Sequence, residues 1–192
     1  MDTVFLDRDG VLNEKAPEGE YVFRWENFHV LDGVAEAIGR LNRAALRTIV
    51  VTNQRGVALG LYTMADVEAV HTQFQQLLAE RGARIDGFFV CPHDRGDCTC
   101  RKPLPGLFEQ AVADFKDISA AKSVMIGDSL VDMEFGRGLG MKTILVVGPE
   151  EHRAPGAEKA ERLADLRCGS LLDAVEGILS QAGKKEERRP PG

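Results

Sequence analysis

Hydrophobic and polar residues follow two rhythms along this chain. Short apolar runs rich in β-branched and aromatic residues fall at positions 3–6, 48–51, 87–90, 123–126 and 143–147. Between the second and third, Val67, Val70, Phe74, Leu77 and Leu78 recur at the three-and-four spacing of one helical face. That spacing predicts a helix over 64–81, ended by Gly82. The same reasoning predicts helices over 34–45, 105–115 and 130–139, with weaker ones after Ala157 and after Ser170. Strands alternating with helices in this way predict an α/β fold, a parallel sheet flanked by helices.

Two stretches break the alternation, and a small domain uses few residues on loops without a purpose. Residues 13–32 follow the first strand with no helical period, and residues 91–106 form a Cys-, Pro- and Gly-rich loop after the third. A chain of 192 residues, 44% of them apolar, suits one core. We therefore expect a single domain over 1–183 and a flexible tail over 184–192, where charge mixes with proline. The balance of 24 basic against 30 acidic residues disfavours a nucleic-acid footprint. No apolar run approaches the roughly 18 residues of a membrane span, so a cytoplasmic protein is expected, with no membrane partner.

Cysteine usage sharpens the picture. Cys91, His93, Cys98 and Cys100 crowd one polar loop, and such crowding in a cytoplasmic chain points to metal rather than to disulfides. Three thiolates and one imidazole suit the closed tetrahedral shell of a structural zinc ion. Cys168 lacks such neighbours and reads as an ordinary buried thiol, while His29, His71 and His152 read as surface or packing residues.

The remaining chemistry sits at strand ends, where open α/β sheets bind ligands. Asp7 and Asp9 leave the first strand one residue apart with Gly10 after them; in extended geometry two such carboxylates face the same way and call for a cation or a shared proton. Thr52, Asn53 and Gln54 close the second strand, where a hydroxyl and an amide suit phosphate oxygens. Arg101 and Lys102 follow the cysteine loop, and Asp128, then Asp132, follow the fourth strand. Taken singly, each signal also fits ordinary turn or helix-cap chemistry.

In this order, from Asp7 to Asp132, the four signals resemble the haloacid-dehalogenase (HAD) phosphotransferase superfamily. The resemblance implies a Rossmann-like sheet with the site at its carboxyl edge, Asp7 as nucleophile and Asp9 as acid/base. It also implies magnesium between Asp7, the Asp9 main-chain carbonyl and Asp128. Thr52, Asn53 and Lys102 would hold phosphate oxygens, and Asp132 would orient Lys102 or a magnesium-bound water. The C-x-H and C-x-C elements leading into Arg101-Lys102-Pro103, with the run from Val51 to Thr63, look like the small subfamily of heptose-bisphosphate and histidinol-phosphate phosphatases.

The implied reaction is hydrolysis of the C7 phosphate of a heptose 1,7-bisphosphate, a small phosphorylated sugar. Histidinol phosphate is the alternative substrate, and a non-catalytic phosphosugar-binding or interaction module the alternative class. The gaps from Asp7 to Thr52 and from Asn53 to Lys102 are too short to hold a cap domain besides a strand and its crossover helix. Residues 13–32 and the zinc loop would then form an open rim, in which Lys15, Glu18, Tyr21, Arg24 and Trp25 meet substrate or pack on themselves. Ser129 stands where many relatives carry a cation, and Arg55 and Arg101 are the candidates to hold a second phosphate. Oligomeric state is not legible in the sequence, and a monomer fits it.

Overall fold

A computed structural model describes residues 1–17, 19–148 and 156–186. The elements run β1 (Thr3–Leu6), α1 (Val34–Arg43), β2 (Arg47–Asn53), α2 (Met64–Glu80), β3 (Gly87–Cys91), α3 (Gly106–Asp114), β4 (Ser123–Gly127), α4 (Leu130–Leu139), β5 (Lys142–Val146), α5 (Ala157–Leu163), β6 (Leu166–Cys168) and α6 (Leu171–Glu186). All strand pairs are parallel, in the order β3-β2-β1-β4-β5-β6. The chain thus steps outward from β1 to one edge, returns to its other side and steps out again, so the direction of winding reverses beside β1.

Alternating side chains on the strands feed two cores. Val4, Leu6, Val50, Val124 and Ile126 pack against Ile38 and Leu41 of α1, Phe74 and Leu78 of α2 and Val175 of α6. Phe5, Ile49, Val51 and Met125 face the other way, against Leu107 of α3 and Phe135 of α4. Each of the first three strand-to-strand crossovers carries a single α-helix of 17 residues or fewer, with a three-residue 3-10 turn besides in the first and third, so no cap domain rises above the sheet among the described residues.

The expected elements recur with shifted ends, and one strand is new. β2 reaches back to Arg47 and on to Asn53, and β6 is a three-residue edge strand that no apolar run announces. α6 continues to Glu186, past residue 183. Glu18, His152 and residues 187–192 lie outside the described residues. Among the described residues, no helix is long and apolar enough to cross a membrane.

Glycine matters most where β1 ends. Gly10 has φ of +90°, and a Cβ there would sit 2.3 Å from the Asp128 Oδ2 atom. We expect Gly10→Ala to lower stability by about 2 kcal/mol or more, from left-handed strain plus overlap. Denaturant titration checks this; an unchanged midpoint would contradict the close approach of β1 and β4 at this point.

Candidate active site

The register brings the separate sequence signals to one place. Leu6 pairs with Val50 on one side and with Ile126 on the other, and the Asp7 amide continues the ladder by donating to the Ile126 carbonyl at 2.9 Å. Asp7, Asp128 and Asp132 therefore converge, each offering one oxygen within 4.8 Å of the others. Lys102 closes the group from the far side. Its ammonium donates to Asp7 at 2.9 Å, to Asp132 at 2.6 Å and to the Val51 carbonyl at 2.8 Å, with the side chain only 2% exposed. Burial works against the charge of this lysine, yet Asp132 and Asp7 raise its pKa. All three of its donors are matched, as a buried ammonium requires.

Asp132 is fully occupied. Besides Lys102 it accepts the Ser129 amide at 3.2 Å and the Ser129 hydroxyl at 2.5 Å, half of a capping arrangement at the start of α4. Ser129, where a cation was expected from the resemblance, thus fixes the helix end instead. A cation does arrive at Asp128, from the first rim loop: Lys15 donates to its Oδ2 at 2.6 Å.

Asp9 occupies a different environment. Arg8 approaches one of its oxygens through Nε at 3.2 Å and Nη2 at 2.9 Å, Asn13 donates to the same atom at 3.0 Å, and Gln54 donates to the other at 3.0 Å. Burial alone would raise its pKa, but Arg8 and these donors outweigh that and hold it below the usual carboxylate range. Gln54 itself is buried: it also donates to Thr52 at 2.9 Å and accepts from the Tyr62 hydroxyl at 2.8 Å. Among the described residues, the Gln54 amide is engaged by Asp9, Thr52 and Tyr62.

Asn53 also points inward, and its amide grips the Lys102 backbone, donating to the carbonyl at 3.2 Å and accepting from the amide at 3.0 Å. Thr52 is buried, and its hydroxyl oxygen accepts from Gln54. Arg55 pairs with Asp94 of the cysteine loop, and the Arg101 side chain donates to the His93 carbonyl at 3.4 Å. In the rim, Phe23 stacks on Tyr62 with centroids 4.9 Å apart, Trp25 stacks on Phe28, and Arg24 lies over Phe23. The aromatics of 13–32 therefore pack on protein.

The oxygen cluster fits a hard divalent cation. The Asp128 Oδ1 atom is buried without a hydrogen-bond partner, and the Asp7 carboxyl is pushed up to about 7 by its burial and by Asp132, with Lys102 opposing. An orphaned buried oxygen among crowded carboxylates is what magnesium, with its demand for oxygen ligands, would relieve.

The cysteine loop fits a soft one. Its donor atoms are spaced 3.6 Å (Cys91 to Cys98), 3.5 Å (Cys98 to Cys100), 3.2 Å (His93 Nδ1 to Cys100) and 3.8 Å (His93 Nδ1 to Cys91). Tetrahedral arms of about 2.3 Å to sulfur and about 2.0 Å to nitrogen require edges of roughly 3.5–3.8 Å, which three of these four distances meet while the His93–Cys100 edge is shorter. The Arg101 amide donates to the Cys98 sulfur at 3.3 Å, the kind of outer hydrogen bond that steadies a thiolate ligand. Cys168 is half-buried beside the core, His71 is buried against Phe88, and His29 is exposed.

Comparison with known proteins places this geometry. A HAD-hydrolase-like family model matches residues 99–174. A D-glycero-alpha-D-manno-heptose-1,7-bisphosphate 7-phosphatase of Mycobacterium tuberculosis is 44% identical over 89% of this chain and 84% of its own length. The chain belongs to the heptose-bisphosphate phosphatase family. A second member, from Escherichia coli and named for the beta anomer, is 37% identical over 96% of this chain and 95% of its own. Among solved members, the D,D-heptose 1,7-bisphosphate phosphatase of B. bronchiseptica, complexed with magnesium and phosphate, matches with a TM-score of 0.81 at 31% identity, over 94% of this chain and 99% of the other.

Two measurements test the site as built. A carboxyl whose value near 3.8 rises to about 7 on folding binds its proton more tightly in the folded state, so stability falls as pH rises across that window. In magnesium-free buffer, Asp7→Asn should melt above the wild-type protein at pH 8 and level with it near pH 4; a higher wild-type melting point at pH 8 would contradict the carboxylate crowding. Protein purified without chelator should carry about one zinc per chain, and Cys98→Ser should carry less and melt lower.

Proposed function

We propose that residues 1–183 form a magnesium-dependent phosphatase that removes the C7 phosphate of a D-glycero-D-manno-heptose 1,7-bisphosphate through an aspartyl-phosphate on Asp7. The observation that carries this reading is the Lys102 ammonium seated between Asp7 and Asp132 beside the orphaned Asp128 oxygen. One oxygen of Asp7 is held by Lys102, and the other would be the attacking atom. Family membership supplies the substrate class, since the relatives are named for this bond.

The steps follow from the side chains. A free Asp7 oxygen attacks phosphorus, the bond to the sugar oxygen breaks, and the departing oxygen takes a proton from Asp9. Asp9 then removes a proton from the water that cleaves the acyl phosphate. Its hydrogen bonds from Arg8, Asn13 and Gln54 suit the ionised state needed in this second half. To serve the first half, it carries its proton away from these donors toward the sugar. Lys102, exchanging its bond to Asp7 for one to the phosphate, and the Thr52 hydroxyl would take the equatorial phosphate oxygens, where charge accumulates. Asp7, Asp128 and the Asp9 main-chain carbonyl would hold magnesium, whose charge lets an anionic carboxylate approach an anionic phosphate.

Arg101 is the cation we assign to the phosphate that is kept. The cytoplasm is the fitting compartment, because the thiolates of Cys91, Cys98 and Cys100 need a reducing one.

The test is phosphate release from both anomers of the bisphosphate, from histidinol phosphate and from fructose bisphosphate. Wild-type efficiency should be highest on a heptose bisphosphate; a higher value on histidinol phosphate would overturn the substrate assignment. Asp7→Asn and Asp9→Asn should each lose turnover by roughly 10³-fold or more while remaining folded. Arg101→Ala should cut efficiency at least about tenfold on the bisphosphate and only weakly on the monophosphate, where the lost charge-assisted bonds have no counterpart.

A further inference from the structure

We propose that Asp94, one residue beyond the predicted zinc ligand His93, is a positioning residue that holds Arg55 as a second cation for the phosphate that is not cleaved. The inference rests on the bisphosphate reading above and adds the residue that makes the cysteine loop a specificity element.

Arg55 leaves β2 just after Gln54, and an arginine on a rim would ordinarily sample many rotamers. Here its guanidinium is pinned. Nε donates to one Asp94 oxygen at 2.5 Å and Nη2 donates to the other at 3.2 Å. Asp94 is fixed in turn by the Arg95 amide, which donates to it at 2.6 Å.

The edge of the fork decides what remains available. A guanidinium can meet an anion through its Nε and Nη edge or through its two Nη atoms. Asp94 takes the first edge, so a second anion would meet the fork from its Nη side. Tyr21, from the first rim loop, hydrogen-bonds the same guanidinium and helps to fix it, and the charge of Arg101 also reaches Asp94. Three loops thus meet at Arg55, two guanidinium groups flank one carboxylate, and the excess is positive. Arg55 and Asp94 are both about one-third exposed, so the open edge is accessible to ligand.

The carboxylate lowers the local positive potential, which by itself weakens anion binding. Preorganisation outweighs this, because a fixed fork loses no rotamer freedom when phosphate arrives. The retained phosphate is the one on C1, so the same pair also bears on anomeric preference.

The experiment compares steady-state kinetics of the magnesium- and zinc-replete enzyme on heptose 1,7-bisphosphate, in each anomer, and on heptose 7-phosphate. Asp94→Ala should raise KM for the bisphosphate about tenfold with kcat nearly unchanged, and the loss on the monophosphate should be several-fold smaller. Arg55→Ala should behave alike, and the double variant should be no worse than Arg55→Ala alone, because the two side chains act as one device. Asp94→Asn, which keeps an acceptor oxygen, should recover part of the loss. Zinc content should stay near wild type in each variant, which separates positioning from collapse of the loop.

Tighter bisphosphate binding by Asp94→Ala would mean that Asp94 masks Arg55, and would overturn the proposal. Equal losses on the two substrates, or additive losses in the double variant, would overturn it too. Failure of the underlying reading looks different: the wild-type enzyme itself would show no preference for the bisphosphate, and the proposal would fall with it.

Discussion

The site depends on one ammonium group. Asp7, Asp128 and Asp132 bring three carboxylates to the ends of β1 and β4, and like charges so close in a largely buried place repel strongly. Lys102 makes the cluster tenable, with one proton each for Asp7, Asp132 and the Val51 carbonyl. The ammonium needs these partners as much as they need it, since a buried lysine left without them would lose its charge. What remains uncompensated is the Asp128 oxygen with no donor, and that residue of negative charge defines where a metal belongs.

Delivering that ammonium is a task for residues outside the cluster. Lys102 lies on a loop rather than on a strand, and a loop holds a charge in place only if its own backbone is held. The Asn53 amide does this from β2 by gripping the Lys102 peptide on both sides. The cysteine cluster does it from the other end, through the Arg101 amide on the Cys98 sulfur. The second strand thus has two jobs at its exit: Asn53 fixes the lysine, while Gln54, locked by Tyr62 and Thr52, fixes Asp9.

The chemistry-bearing residues were legible because the backbone forces them to be where they are. Asp7, Asp128 and Lys102 follow strand ends or a cysteine loop, so a pattern of short apolar runs already places them on one edge of a parallel sheet. Asn53 and Gln54 were legible as site residues but not in their direction, because whether an amide faces ligand or protein depends on neighbours far along the chain. Lys15 shows the limit most clearly: its partner Asp128 lies 113 positions away, on a different strand, and no local pattern encodes that meeting. β6 escaped notice for another reason. Three residues at a sheet edge, two of them exposed, carry no alternation to detect.

The uncovered edge of the sheet carries its own consequence. Because the crossovers after β1, β2 and β3 hold one α-helix each, no cap domain shuts over Asp7 among the described residues, where the proposed mechanism would place the phosphoryl group. Enzymes that pass a group from one organic acceptor to another protect the reactive intermediate from solvent. A phosphorylated aspartate at an open strand end meets the most abundant nucleophile first. Under the proposed mechanism, such an architecture would favour water as acceptor without any residue that recognises it.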